Sequence, residues 1–261
     1  MSKKLAVIGS PVAHSKSPAI HTKFAADLGL DYTYEAVEVT AETLADFVSR
    51  AKAGEFAGFN VTMPLKEAII PHLAAIDGAA KACGSVNTVV VRGGELHGYS
   101  TDGVGTVAAL REQISDLRGK SALILGTGGA AKAAAFALNE AGCTVTALSR
   151  RAELPRIAGA VTRPWAELAT LAASAYVIIN ATPQGMHGNV EFDDFNWLQQ
   201  VKNETIVFDF VYNPIETTFL VTAKSHRLTT IGGLRLLLLQ AAASFELFTG
   251  VAPASVEGFF A

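Results

Sequence analysis

Cysteine is scarce in this 261-residue chain, which has two, Cys83 and Cys143. Each sits among small and apolar neighbours, so neither a disulfide framework nor a cysteine metal motif is available. Charge is also scarce, at 17% of residues against ~25% in an ordinary soluble domain, while half the chain is hydrophobic. That composition excludes disorder and requires extensive burial. A basic excess is absent: Lys and Arg total 21 against 24 Asp and Glu, a net charge of −3. A phosphate-neutralising nucleic-acid surface is therefore not expected. Long apolar runs are missing too, because the longest charge-free stretch, 168–190, is broken by Asn180, Pro183, Gln184 and His187. Those polar groups would go unsatisfied in hydrocarbon, which excludes a membrane span there. Lys3 and Lys4 precede an apolar run that stops at Gly9, Ser10 and Pro11, too short for a secretory leader. The expectation is a cytoplasmic protein with small-molecule partners.

What the chain does have is alternation. Short β-branched runs and longer Ala- and Leu-rich runs of helical period follow one another, the pattern of βα units around a parallel sheet. Strands are predicted at 5–8, 32–39 and 58–61, with a hairpin of 88–91 and 96–99 around Gly93 and Gly94. From Ser121 the rhythm restarts, with strands at 122–125, 144–149, 176–180, 206–209 and 229–231. Helices are expected from Pro18, with Ser17 as its cap, and over 42–53, 130–141 and 234–248. At about 150 residues per domain the length allows two domains or one large one.

Gly126-Thr127-Gly128-Gly129-Ala130-Ala131 lies between a predicted strand and a predicted helix. A turn this tight needs residues without a β-carbon, and a pyrophosphate can then approach backbone amides at the positive end of the helix. A glycine turn that merely links strand to helix would look similar; the strand-loop-helix-strand context favours a dinucleotide. An NAD site places Asp or Glu about twenty residues past the loop, whereas here the second strand ends in Ser149, Arg150 and Arg151. Two guanidiniums suit a 2′-phosphate, so NADP is favoured, with a pair of solvated surface arginines as the competing reading.

A second set of polar groups precedes this unit. The loop 9–18 crowds hydroxyls and His14 behind the first strand, where ligands of open α/β sheets sit. Asn60, Thr62 and Lys66 lie just past another strand end; Asn87 leads into the hairpin and Asp102 leaves it. Each has an ordinary explanation in turn chemistry. Together they offer neutral donors and acceptors, one amine and one carboxylate, which suits a small polyhydroxylated substrate.

These blocks carry a resemblance that runs essentially end to end. The H-S-x-S-P loop at 14–18, N-V-T-x-P-x-K at 60–66, and S-V-N-T and S-T-D-G around Asn87 and Asp102 resemble the shikimate dehydrogenase family. The central glycine loop, the run 180–186, the run 211–214 and Gln240 before an Ala-rich stretch extend the likeness. The resemblance implies NADPH-linked reduction of 3-dehydroshikimate to shikimate, in aromatic amino-acid biosynthesis. Lys66 and Asp102 would be the catalytic pair. Ser15 and Ser17, with Tyr212, would take the substrate carboxylate, and Asn60, Thr62, Asn87, Asp102 and Gln240 the ring hydroxyls. Gly126, Thr127, Gly128, Gly129 and Ala130 would approach the pyrophosphate, with Ser149, Arg150 and Arg151 near the adenosine phosphate. Thr182, Met186 and Gly233 would lie on the nicotinamide side.

The implied architecture is two α/β domains with a cleft between them. A substrate domain with a mainly parallel sheet would span 1–104 and be completed by 237–261, and a Rossmann NADP domain would span 105–236. The chemistry agrees with the residues, since hydride transfer to a ketone leaves an alkoxide to which a lysine ammonium, oriented by Asp102, can give a proton. A monomer or homodimer is expected, with no metal. The chain departs from the family pattern at Thr22, where Asn is usual, and at Ser149 and Arg151 in an N-R-T cofactor motif. Arg235 and Leu236 stand where Gly and Met are usual. Three other readings remain: a quinate/shikimate dehydrogenase of broader specificity, a non-catalytic NADP-sensing module, and a dehydrogenase acting on a folate. Retention of Lys66 and Asp102 disfavours the second, and the polyol-suited first half disfavours the third.

Overall fold

In a computed structural model that describes residues 2–259, the first apolar run forms β1 (Lys3–Gly9), buried from Leu5 onward. It is followed by α1 (Ser17–Asp27), β2 (Tyr32–Glu38), α2 (Leu44–Lys52) and β3 (Gly58–Val61). The two helices return the chain to one end each time, so β1 pairs in parallel with both β2 and β3. Next come β4 (Ala75–Ile76), α3 (Gly78–Cys83), β5 (Thr88–Arg92) and β6 (Glu95–Tyr99). β5 and β6 are the hairpin, and its Gly93 and Gly94 take φ of 60° and 81°, which a two-residue turn of matching twist requires. β5 runs antiparallel to β3, and the sheet order is β2-β1-β3-β5-β6-β4.

After α4 (Asp102–Arg111) a second sheet begins with β7 (Ser121–Leu125), α5 (Gly129–Glu140), β8 (Thr144–Ser149) and β9 (Val161–Pro164). It continues with α6 (Leu168–Ala172), β10 (Val177–Asn180), β11 (Ile206–Asp209), α7 (Thr218–Ser225) and β12 (Thr229–Ile231). All neighbours are parallel, in the order β12-β11-β10-β7-β8-β9. Read from the β9 edge this is the doubly wound order 3-2-1-4-5-6 of dinucleotide-binding folds. β10 and β11 are buried along their whole length, as strands covered on both faces must be.

The last helix, α8 (Gly233–Thr249), carries the chain back. One unit comprises residues up to Asp102 and from Leu238 onward, and the other Gly103–Leu237, so both crossings fall within helices. Each unit has its own core: Ile8, Phe47, Phe56, Phe59 and Leu65 in the first, Leu123, Ile178, Leu198 and Phe219 in the second. Among the described residues no helix is long and apolar enough to cross a membrane.

One local expectation is corrected. α1 starts at Ser17 itself, and the cap position falls to Lys16, which makes no capping bond. Pro18 has no N–H to offer a cap. Instead Ser15 Oγ accepts from the Ser17 amide at 3.2 Å, a local hydroxyl turn. The short β4 and β9, and helices α3, α4, α6 and α7, were not predicted. β9 is mostly exposed and ends in Pro164, and α4 opens with Asp-Gly-Val-Gly, so neither carries a strong period.

Candidate active site

Because β1 and β3 are parallel and β5 is antiparallel to β3, the exits of β1, β3 and β6 and the entry to β5 lie at one edge of the first sheet. β1 is also where the chain changes direction across the sheet, the position at which open α/β sheets bind ligands. Ser15, Thr62, Lys66, Asn87 and Asp102 lie on these segments.

Lys66 Nζ meets Asp102 Oδ2 at 2.5 Å, and the two side chains are 19% and 11% exposed. The pair is thus largely withdrawn from water, where a charge-assisted bond is strong, yet still open to a small ligand. Its backbone is pinned as well, since the Lys66 carbonyl accepts from the Val86 amide at 2.9 Å. Asp102 Oδ1 faces Asn87, whose Nδ2 donates to it at 2.8 Å and to Thr101 Oγ1 at 2.9 Å. Asn87 Oδ1 accepts from the Thr101 amide at 2.8 Å. Asn87 therefore fixes one carboxylate oxygen and leaves the other to the lysine.

A buried polar network lies behind this pair. Asn60 Oδ1 accepts from Tyr34 Oη at 2.7 Å, and Asn60 Nδ2 lies 3.0–3.1 Å from Thr88 Oγ1, Ser244 Oγ and the Asn87 carbonyl. Gln240 Oε1 is 3.4 Å from both Asn87 Nδ2 and Thr101 Oγ1. Ser17, also buried, hydrogen-bonds Tyr34, whose phenol is pushed up chiefly by burial. Tyr34 and Ser244 were missed in the sequence. Ser244 stands four residues after Gln240, hence on the same helix face, and that spacing was the available signal.

In the second unit the glycine loop and the loop after β10 meet at the change of direction between β7 and β10. Gly126 has φ of 115°, and a β-carbon there would stand 3.0 Å from Thr182 Cγ2 and 3.1 Å from the Ala181 carbonyl. At Gly128 the same atom would meet nothing within 4 Å, and Gly128 is the cap residue of α5. Gly126 is thus required by the fold itself, while Gly128 leaves free space at a helix N-terminus, the kind of place that accepts an anion. Thr127, Gly129 and Ala130 are half-buried around it.

Asn180 shapes the opposite loop: its Oδ1 accepts from the Thr182 amide and hydroxyl at 3.1 and 2.6 Å, and its Nδ2 reaches the Gln184 carbonyl at 3.0 Å. Asn180 is itself held by Asp209, 2.9 Å away, which also accepts from Thr217 Oγ1 and the Val211 amide. Burial outweighs these donors and raises the Asp209 carboxyl to about 6. The half-buried Met186 follows on this loop, and the His187 amide bonds the Asn213 carbonyl next to Tyr212, whose phenol burial also raises. Gly233 is packed so closely that a β-carbon would lie 2.4 Å from the Val211 carbonyl.

At the end of β8, Ser149 is buried and its Oγ accepts from the Arg151 amide at 3.1 Å. Arg150 and Arg151 are exposed, and among the described residues neither has a carboxylate partner. Arg235, the departure near the start of α8, turns to Glu112 instead, its Nε and Nη2 reaching both oxygens at 2.5–3.0 Å.

Residues 7–89 match the shikimate dehydrogenase substrate binding domain. A Methanococcus maripaludis protein named shikimate dehydrogenase (NADP(+)) is 40% identical, over 97% of this chain and 93% of its own. The shikimate 5-dehydrogenase of Thermus thermophilus, solved in complex with NADP(H) and shikimate, is 37% identical with a TM-score of 0.85, covering 96% of this chain and 95% of its own. The ligand-free 5-ketofructose reductase of a Gluconobacter strain has a TM-score of 0.86 at 32% identity, over 97% of this chain and 95% of its own.

Proposed function

Because the chain belongs to the shikimate dehydrogenase family, we propose that it interconverts 3-dehydroshikimate and shikimate with NADP, a step toward aromatic amino acids. The observation that carries this reading is the Lys66–Asp102 pair, clamped by Asn87 at the ligand edge of the first sheet. As the substrate carbonyl carbon accepts hydride, its oxygen gains negative charge. Lys66 polarises that oxygen as an ammonium and delivers the proton to it. In the other direction the free amine takes the hydroxyl proton. Asp102 holds the amine in place and accepts from a ring hydroxyl. Asn60, Thr62, Asn87 and Gln240 serve the remaining hydroxyls, and Ser15 and Ser17 the carboxylate.

The residues of the second unit fit the cofactor. Open space at Gly128 over the N-terminus of α5 suits a pyrophosphate, with Gly126, Thr127, Gly129 and Ala130 lining the turn. Arg150 and Arg151, without a carboxylate partner among the described residues, suit a 2′-phosphate, with Ser149 shaping their turn. Thr182, Met186 and Gly233 would border the nicotinamide. NADP supplies the carbon that gives or takes the hydride. Steady-state oxidation of shikimate with NADP tests substrate, cofactor and catalysis together. The expected result is turnover that falls markedly with quinate and with NAD. Absence of turnover on shikimate, or a preference for NAD, overturns the reading.

A further inference from the structure

Arg150 carries much of the NADP reading, yet it is an exposed side chain at a strand end with no acid to hold it among the described residues. The neighbouring strand supplies what acids do not. β8 and β9 pair in parallel with Ser149 opposite Pro164, so the next residue on each, Arg150 and Trp165, emerge side by side. The Arg150 guanidinium carbon lies 5.4 Å from the Trp165 ring centroid, within cation–π range. The indole is itself fixed: it stacks with Phe192 at 6.5 Å and 25° and packs against the core around Leu198 and Phe219. Glu167, two residues on, is taken by Arg163 at 2.9 Å and does not draw Arg150 away.

We propose that Trp165 is a positioning residue for recognition of the adenosine 2′-phosphate, holding the Arg150 guanidinium by its face so that its N–H groups stay free for the phosphate. This rests on the NADP reading above. An unrestrained arginine loses its rotamer freedom when it binds an anion. One already stacked on a fixed ring has given up part of that freedom, and the ring consumes none of its donors.

The test is calorimetric titration of the full chain with adenosine 2′,5′-bisphosphate and adenosine 5′-monophosphate, read as the ratio of the two affinities. Trp165→Leu is expected to narrow the ratio about three- to tenfold, and Trp165→Phe, which keeps an aromatic face, to restore most of it. With Arg150→Gln already in place, Trp165→Leu is expected to narrow it no further. An unchanged ratio in Trp165→Leu, or the same loss in the Arg150→Gln background, overturns the proposal. If Trp165→Leu does not fold, Trp165→Met, which also lacks an aromatic face, compared with tryptophan in both Arg150 backgrounds reads the same coupling. A wild-type ratio near one instead removes the NADP assignment, and this proposal with it. Shikimate oxidation with NAD then reports that failure separately.

Discussion

Lys66 sits at the end of a short chain of restraints, from Asn87 through Asp102 to its own amine. Removing the amine while leaving the polar network behind it should remove proton transfer more than substrate binding. Lys66→Ala is therefore expected to lower kcat by about 10²- to 10⁴-fold with a smaller change in KM, as read by steady-state shikimate oxidation. A second residue-scale consequence lies at His21, which the function does not use. Its ring is buried, stacks on Tyr34 at 4.3 Å and 9°, and among the described residues neither nitrogen has a hydrogen-bond partner. Burial lowers its pKa from 6.5 to about 3. Between those values the unfolded chain binds the proton and the folded chain does not, so stability is lost as pH falls below 6.5. Asp209, raised by burial to about 6, acts with the opposite sign: its contribution is present below about 4 and lost as pH rises through 6. In His21→Phe the acid loss should be reduced. Urea unfolding should show the variant gaining on the parent by about 1.4 kcal/mol per pH unit from pH 6 down toward the folded pKa of about 3, and a difference independent of pH would exclude titration of His21.

The turns and helix starts of the second unit separate glycines that the fold requires from a glycine that the fold does not require. Gly126 holds a positive φ against Thr182, and Gly233 abuts two backbone carbonyls, whereas Gly128 is unobstructed at φ of −78°. Gly126→Ala and Gly233→Ala should each lower thermal stability, by about 1–3 kcal/mol or more from strain and overpacking. Gly128→Ala should leave the melting temperature nearly unchanged and weaken NADP binding, because the added methyl would occupy the space assigned to the pyrophosphate. Thermal melts paired with NADP titration check both halves of the contrast. Arg235 is also explained at this scale: its fork onto Glu112 ties the start of α8 to the segment just past α4.

For the whole molecule, a ligand that binds only the folded chain raises its apparent stability by mass action, about 2.7 kcal/mol at a hundredfold excess over Kd. NADP should accordingly raise the melting temperature more than NAD at equal concentration, and shikimate more than quinate. Equal shifts for the two nucleotides would argue that Arg150 and Arg151 are surface residues without a 2′-phosphate to bind.

Strands such as Ala122–Leu125 and Ile206–Asp209 were legible because strands buried on both faces are continuous apolar runs, and the glycine loop because at Gly126 its backbone demands the residue. Lys66, Asn87 and Asp102 were legible as polar groups next to strand ends. The weak elements β9 and α4 were not, since an exposed edge and a glycine-rich helix start leave little periodicity. The pairing of particular side chains belonged to tertiary structure alone. Asn60 with Ser244, Asn180 with Asp209, and Arg150 with Trp165 all join residues on different elements. Local propensity sets which elements form, but strand order and register decide which side chains meet, and those depend on the packing of the whole unit.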